Sequence, residues 1–121
     1  MANELTLSAS LAFAKGNANT GLSKGGLQVT VTGTQYLSNI QSVGFAAEEA
    51  LVVSEGTLGY CFMRNNDATN YVEVRPGTGV ADLIRLNAGE IALFRFAADV
   101  TAPFVQANTA AVELEYIIIE T

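Results

Sequence analysis

The chain has 121 residues and a formal net charge of −6, six basic residues against twelve acidic ones, so it lacks the Lys/Arg surplus that nucleic-acid binding requires. Half of it is hydrophobic, enough for a core without metal or disulfide support, yet no apolar run approaches the roughly 18 residues of a membrane-spanning helix. It contains no histidine, which removes Ser-His-Asp and Cys-His nucleophile arrangements and the usual imidazole metal ligands.

From the start, Leu5, Leu7, Ala9, Leu11 and Phe13 alternate with Glu4, Thr6, Ser8 and Ser10. That period of two predicts a half-buried strand over residues 3–14. With Glu4 where a signal peptide carries positive charge, residues 1–14 do not read as one. Residues 15–26 (KGNANTGLSKGG) are polar and rich in Gly and Asn, and are expected to form a flexible loop. Leu27, Val29 and Val31 restart the alternation as a second strand. Tyr36 to Val43 is a third, with an imperfect pattern that suggests a bulge. The segment 45–53 contains AAEEALVV, the one place where a helical turn would fit, but it reads better as loop or short strand. Glu48 and Glu49 are adjacent there and point in different directions, so they do not form an acid–base pair.

Residues 59–96 hold four short apolar runs separated by turn chemistry: Asn65-Asn66-Asp67, then Pro76-Gly77-Thr78-Gly79, then Asn87-Ala88-Gly89-Glu90. Two consecutive hairpins are the economical expectation. After Pro103 comes a short run, Phe104 to Ala107, and then a last strand over Val112 to Ile119. In that strand Val112, Leu114, Tyr116 and Ile118 share one face. The other begins with Glu113 and Glu115 but finishes with Ile117 and Ile119, so its C-terminal end calls for cover by a sheet, a loop or a neighbouring subunit. The whole predicts an all-β, single-domain, jelly-roll-like β-sandwich of about eight strands over 1–121, with 15–26 as a flexible loop.

Chemistry is sparse. The lone Cys61 cannot form an internal disulfide and reads as a buried structural thiol. Asp67, Glu73, Asp82 and Glu90 lack the spacing of a calcium loop, and no P-loop or dinucleotide fingerprint occurs. No catalytic residue, metal or cofactor is expected. The four arginines, Arg64, Arg75, Arg85 and Arg95, interleave with those acids. They read either as cross-strand ion pairs or as an interface seam. Tyr36, Tyr60, Tyr71 and Tyr116 offer aromatic contacts for an interface or a sugar. Arg64, Arg75, Arg85, Arg95, Tyr71, Ile117 and Ile119 are therefore the candidate interface residues.

YCFMRNNDATNYVEVRPGTG, followed by LIRLNAGEIALFRF, the terminal VELEYIIIET and the opening MANELTLSASLAF, resembles a group of small tailed-bacteriophage virion proteins. The resemblance covers most of the chain and carries strand order and turn chemistry, with no catalytic residues. It implies a non-enzymatic structural protein of the particle, made in the host bacterial cytoplasm, without nucleic-acid or membrane partners. Capsid decoration (cement) is the leading expectation, as a homo-oligomer, a trimer by preference, bound to the major capsid protein or other virion subunits. A receptor- or glycan-binding module, or a head–tail, tail or fibre component, is the alternative.

Overall fold

Residues 3–53 and 56–121 are described by the computed structural model, so residues 1–2 of the opening segment MANELTLSASLAF lie outside it. The described residues form ten strands and no helix. These are β1 (Leu5–Lys15), β2 (Ala18–Val29), β3 (Tyr36–Val43), β4 (Glu49–Ala50), β5 (Leu58–Asn65), β6 (Val72–Arg75), β7 (Ile84–Leu86), β8 (Ile91–Arg95), β9 (Phe104–Ala107) and β10 (Val112–Glu120). The chain divides into two compact units, Met1–Thr32 and Gly33–Thr121, where one was expected.

The first unit is a long antiparallel hairpin of β1 and β2. Its turn is the two-residue pair Gly16-Asn17, with Gly16 at φ 58, the left-handed first position that a type II′ turn requires. Residues 18–26, expected as a loop, are strand, because this turn fixes a register that runs Lys15↔Ala18, Phe13↔Thr20, Leu11↔Leu22 and Ala9↔Lys24. A bulge then sets Gly25-Gly26 against Ser8, whose Oγ accepts the Gly26 N–H at 3.0 Å, and pairing resumes at Leu7↔Leu27. β1 is not half-buried along its length. Leu5 and Leu7 are, whereas Leu11, Phe13 and Leu22 are exposed, and the core takes no residue from this unit.

In the second unit the chain doubles back at the β6–β7 turn, so that β6 pairs β7, β5 pairs β8, β4 pairs β9 and β3 pairs β10. Two further ladders, β10–β5 and β6–β9, complete two four-stranded sheets: sheet I, in the order β3-β10-β5-β8, and sheet II, in the order β4-β9-β6-β7. The expectation of two consecutive hairpins is thereby corrected. Only β6–β7 is one; the turns after β5 and β7 carry the chain from one sheet to the other. β3 pairs β10 without interruption, so the bulge expected in β3 is absent. The irregularity lies instead in the β5–β10 ladder, between Ile118 and Glu120. There a Cβ on Gly59 would stand 2.6 Å from the Ile119 carbonyl oxygen, an approach only glycine permits.

Buried residues of both sheets form one apolar cluster. Val43, Cys61, Met63, Leu114, Tyr116 and Ile118 come from sheet I, and Val72, Val74, Leu86, Val105 and Ala107 from sheet II. The alternation expected for Val112, Leu114, Tyr116 and Ile118 is the one observed. Burial pushes the Cys61 thiol up to about 12, which leaves almost no nucleophilic thiolate at neutral pH. A maleimide should therefore leave Cys61 unmodified in the native chain and consume it in denaturant. Equal labelling rates in the two states would show that the side chain is not enclosed.

Asn65, at the end of β5, is fully buried and fully used. Its Nδ2 donates to the carbonyls of Asn70 (2.9 Å) and Leu86 (3.0 Å), and its Oδ1 accepts the Asp67 N–H at 2.8 Å. Its backbone N–H donates to Glu90 O, and its carbonyl accepts from Gly89 N. One side chain thus fastens the loop after β5 and the end of β7.

Candidate interaction surface

β3 departs from ordinary alternation in a way that shapes both faces of sheet I. Its inward positions include the polar Asn39 and Gln41, because the Tyr116 hydroxyl lies beneath them. Asn39 Nδ2 donates to that hydroxyl at 3.1 Å, and the hydroxyl donates to Val52 O at 2.6 Å. Gln41 Oε1 accepts the Val52 N–H while its Nε2 donates to Glu49 and to Ala50 O, holding the β4 segment against β3. The outward positions alternate Tyr36 and Ile40, which are 69% and 56% exposed, with Ser38 and Ser42.

The register carries that apolar character across the sheet. Ile117 of β10 lies opposite Phe62 of β5, which lies opposite Leu93 of β8. One row along, Ile40, Glu115, Arg64 and Ile91 are aligned across all four strands. Tyr36 faces Ile119 at the far end of β10. Phe62, Ile91 and Ile117 are 40%, 59% and 43% exposed, and Ile119 and Leu93 are half-buried. A small depression of about 180 Å³ opens among Phe62, Arg64, Glu115 and Ile117. The cover that Ile117 and Ile119 call for does not come from the sheets themselves. A contiguous apolar face of this kind, crossed by one ion pair, has the chemistry of a protein contact.

The outer face of sheet II is charged and satisfied within the chain. Arg85 donates to Glu73 Oε2 at 3.0 Å directly across the β6–β7 ladder, and its guanidinium lies 3.9 Å above the Tyr71 ring. Arg75 reaches Glu48 and Asp82, each at 2.7 Å. Glu48 also accepts the Gly79 N–H, tying the segment before β4 to the β6–β7 turn.

The seven candidate interface residues are therefore split. Arg64, Arg95, Ile117 and Ile119 lie on sheet I, whereas Arg75, Arg85 and Tyr71 belong to the paired face of sheet II. Of the two readings of the arginines, cross-strand pairing describes Arg85–Glu73 and also Arg64–Glu115, whose residues are ladder partners with N and O 2.5 Å apart. Arg95 instead lies over the Tyr60 ring, its own ladder partner, at 5.3 Å. Asp67 and Glu90, interleaved with the arginines in sequence, close turns: Asp67 accepts from Thr69 N and Asn70 N, and Glu90 from Asn87 N. The four tyrosines do not share one platform. Tyr116 is in the core, Tyr71 is under Arg85, and Tyr36 and Tyr60 sit on different strands of sheet I.

Three carboxyls sit below their ordinary range. Glu48 is held down by hydrogen bonds from Thr78 and Gly79 and then by Arg75. Asp67 is held down by the Asn70 and Thr69 N–H groups, and Glu115 by Arg64 and Asn66. Each favours folding above its unfolded value of about 4, and that contribution disappears as pH falls through the lower folded value. Thermal stability should be level above about pH 5 and decline below it. Glu48→Gln should shallow that decline, measured by circular dichroism melts across the acid range; an unchanged slope would remove Glu48 from this role.

A second pocket, about 190 Å³, lies among Val74, Pro76, Leu83, Ile84, Phe94 and Phe96, with Arg75 and Arg95 at its edge. Arg75 is already engaged by two carboxylates, Arg95 lies over Tyr60, and the other lining residues are apolar, so it presents no acid–base pair. Among the described residues no three His, Cys, Asp or Glu side chains converge on a metal-binding geometry. The chain matches no family model, no curated protein and no solved structure.

Proposed function

We propose that this chain is a structural protein of a tailed-bacteriophage virion, a capsid decoration (cement) protein that acts through subunit–subunit contacts and not through catalysis. The observation that carries the reading is the exposed apolar face of sheet I, formed by Tyr36, Ile40, Phe62, Ile91 and Ile117, beside a sheet II whose charges are paired internally. A protein with no reaction centre assembled among the described residues and a broad apolar face is suited to hold neighbours together. Burial of that face between subunits would resist internal pressure on a shell without any chemistry. The sequence resemblance to small phage virion proteins gives the particle as the setting and a homo-oligomer, a trimer by preference, as the working form.

The fold supports the same reading. The sheet orders β3-β10-β5-β8 and β4-β9-β6-β7, produced by a chain that doubles back on itself, support reading the second unit as an eight-stranded jelly-roll sandwich, an architecture that viral capsid domains use.

Quantitative mass spectrometry of purified particles tests this proposal. Copies of this chain should stand in a simple ratio to the major capsid protein, near one-to-one or a simple fraction of it. A few copies per particle would move the protein to the tail, neck or fibres, and absence from the particle would reject a virion role.

A further inference from the structure

The β1–β2 hairpin is a second uncovered surface, and its chemistry is complementary to that of the first. Directly paired residues of an antiparallel ladder share a face, so Leu5, Leu7, Leu11 and Phe13 lie on the same side as Leu22 and Leu27. Leu22 is 82% exposed, Leu11 65%, Phe13 46% and Leu27 41%. The opposite side carries Thr6, Ser10, Ser23 and Gln28. An isolated two-stranded hairpin is at best marginally stable in water, and this one, with strands of 11 and 12 residues, is longer than any other element of the chain. Its apolar side needs a partner.

Charge and length indicate which partner. Both lysines of the chain, Lys15 and Lys24, lie on that apolar side of the hairpin, paired with Ala18 and Ala9. Residues 33–121 contain no lysine and carry four arginines against eleven acidic residues, a net of −7. On the outer face of sheet I, Glu113 is exposed and lies along β10 from Glu115 and Ile117. At about 3.4 Å per residue, the 11 residues of β1 extend roughly 35 Å, close to the roughly 30 Å of the nine-residue β10 at the centre of that sheet. The two apolar surfaces match in length, and the arm, with two lysines against Glu4, is opposite in net charge to the 33–121 unit, whose sheet I outer face itself carries Arg64 and Arg95 beside Glu113 and Glu115.

We infer that the hairpin is an arm that docks, apolar side down, on the outer face of sheet I of a second copy of the chain. The inference rests on the reading of that face as a subunit contact and names its occupant. Packed sheet on sheet, the arm's leucines meet Ile40, Phe62 and Ile117, and one of its two lysines approaches Glu113 at the edge of the face. Each copy then gives an arm and receives one. Such a head-to-tail contact closes into a ring where the rotation between copies permits.

The test uses full-length chains carrying Leu22→Cys or Ile40→Cys, both exposed positions, with buried Cys61 as an inert background. The two single variants are mixed and treated with a short bismaleimide. Cross-linking should yield a two-chain species in the mixture, and this species should be lost when Leu11→Asp is added to the Leu22→Cys chain. A one-chain internal cross-link in the Leu22→Cys/Ile40→Cys double variant, with none between mixed single variants, would overturn the inference by placing the arm on its own sheet. The arm would also be excluded if the mixture gave no cross-link while Ile40→Glu/Ile91→Glu still dispersed a wild-type oligomer, an outcome that leaves the sheet I contact standing. A chain that is monomeric without any substitution would remove both.

Discussion

Asn65→Ala should lower the stability of the chain by about 3 kcal/mol, a drop of roughly 15 °C in melting temperature for a unit of this size. The side chain is fully buried and makes three hydrogen bonds, two given to the carbonyls of Asn70 and Leu86 and one taken from Asp67 N. Alanine leaves those backbone groups without partners in a place that water reaches poorly, and the penalty for such orphaned groups exceeds the value of the bonds themselves. Asn65→Asp sharpens the point. It is nearly the same size, yet it sets a carboxylate oxygen against two carbonyl oxygens, so it should be at least as damaging at neutral pH. A well-tolerated aspartate would show that volume, and not donor placement, is what Asn65 supplies.

Tyr116→Ala should be the most damaging change in the core, at about 4 kcal/mol. Its ring is 1% exposed at the middle of β10, one of the two strands with partners on both sides in sheet I, and its hydroxyl binds Asn39 Nδ2 and Val52 O. Tyr116→Phe separates these contributions. It keeps the ring but strands the inward Asn39, and should cost about 1 kcal/mol by urea denaturation. Equal losses in the two variants would mean that the hydroxyl network, and not ring packing, fixes this position.

The strands of the 33–121 unit were largely legible because their alternation or turn boundaries are written locally: Tyr36–Val43 and Phe104–Ala107 coincide with the sequence reading, and Val112–Glu120 extends it by one residue. Pairing was not legible in the same way. Turn residues after β5 and β7 announce a change of direction but not which sheet the chain enters next, and the β5–β8 ladder depends on contacts some thirty residues apart in sequence. The hairpin arm carried a usable signal, since Lys15-Gly16-Asn17-Ala18 is a two-residue turn sequence with Phe13 and Leu11 behind it. The polar, glycine-rich composition of 18–26, with Leu22 as its one large apolar residue, hid the strand that follows.

The exposed apolar face of sheet I was visible only at its C-terminal corner. Ile117 and Ile119 stand out against Glu113 and Glu115, but Phe62 and Ile91 sit in continuous apolar runs whose period cannot assign them a side. The imperfect pattern of Tyr36–Val43 gives Tyr36 and Ile40 no side until Asn39 and Gln41 are seen bonded to the inward Tyr116 hydroxyl. Of the two readings of the arginines, cross-strand pairing is seen at Arg64 and Arg85, while Glu48 and Glu115 came from outside the interleaved set because the sheets bring distant segments into register.

Sedimentation equilibrium of the full chain, alone and as Ile40→Glu/Ile91→Glu, puts the contact through sheet I to the test. Both positions are more than half exposed, so the substitutions should leave the core and the circular dichroism spectrum intact. The unsubstituted chain should sediment as a multiple of 12.7 kDa, three chains by preference, and the variant as a single chain. A single-chain mass for the unsubstituted protein at every concentration, or an assembly that survives both glutamates, would contradict a subunit contact through this face.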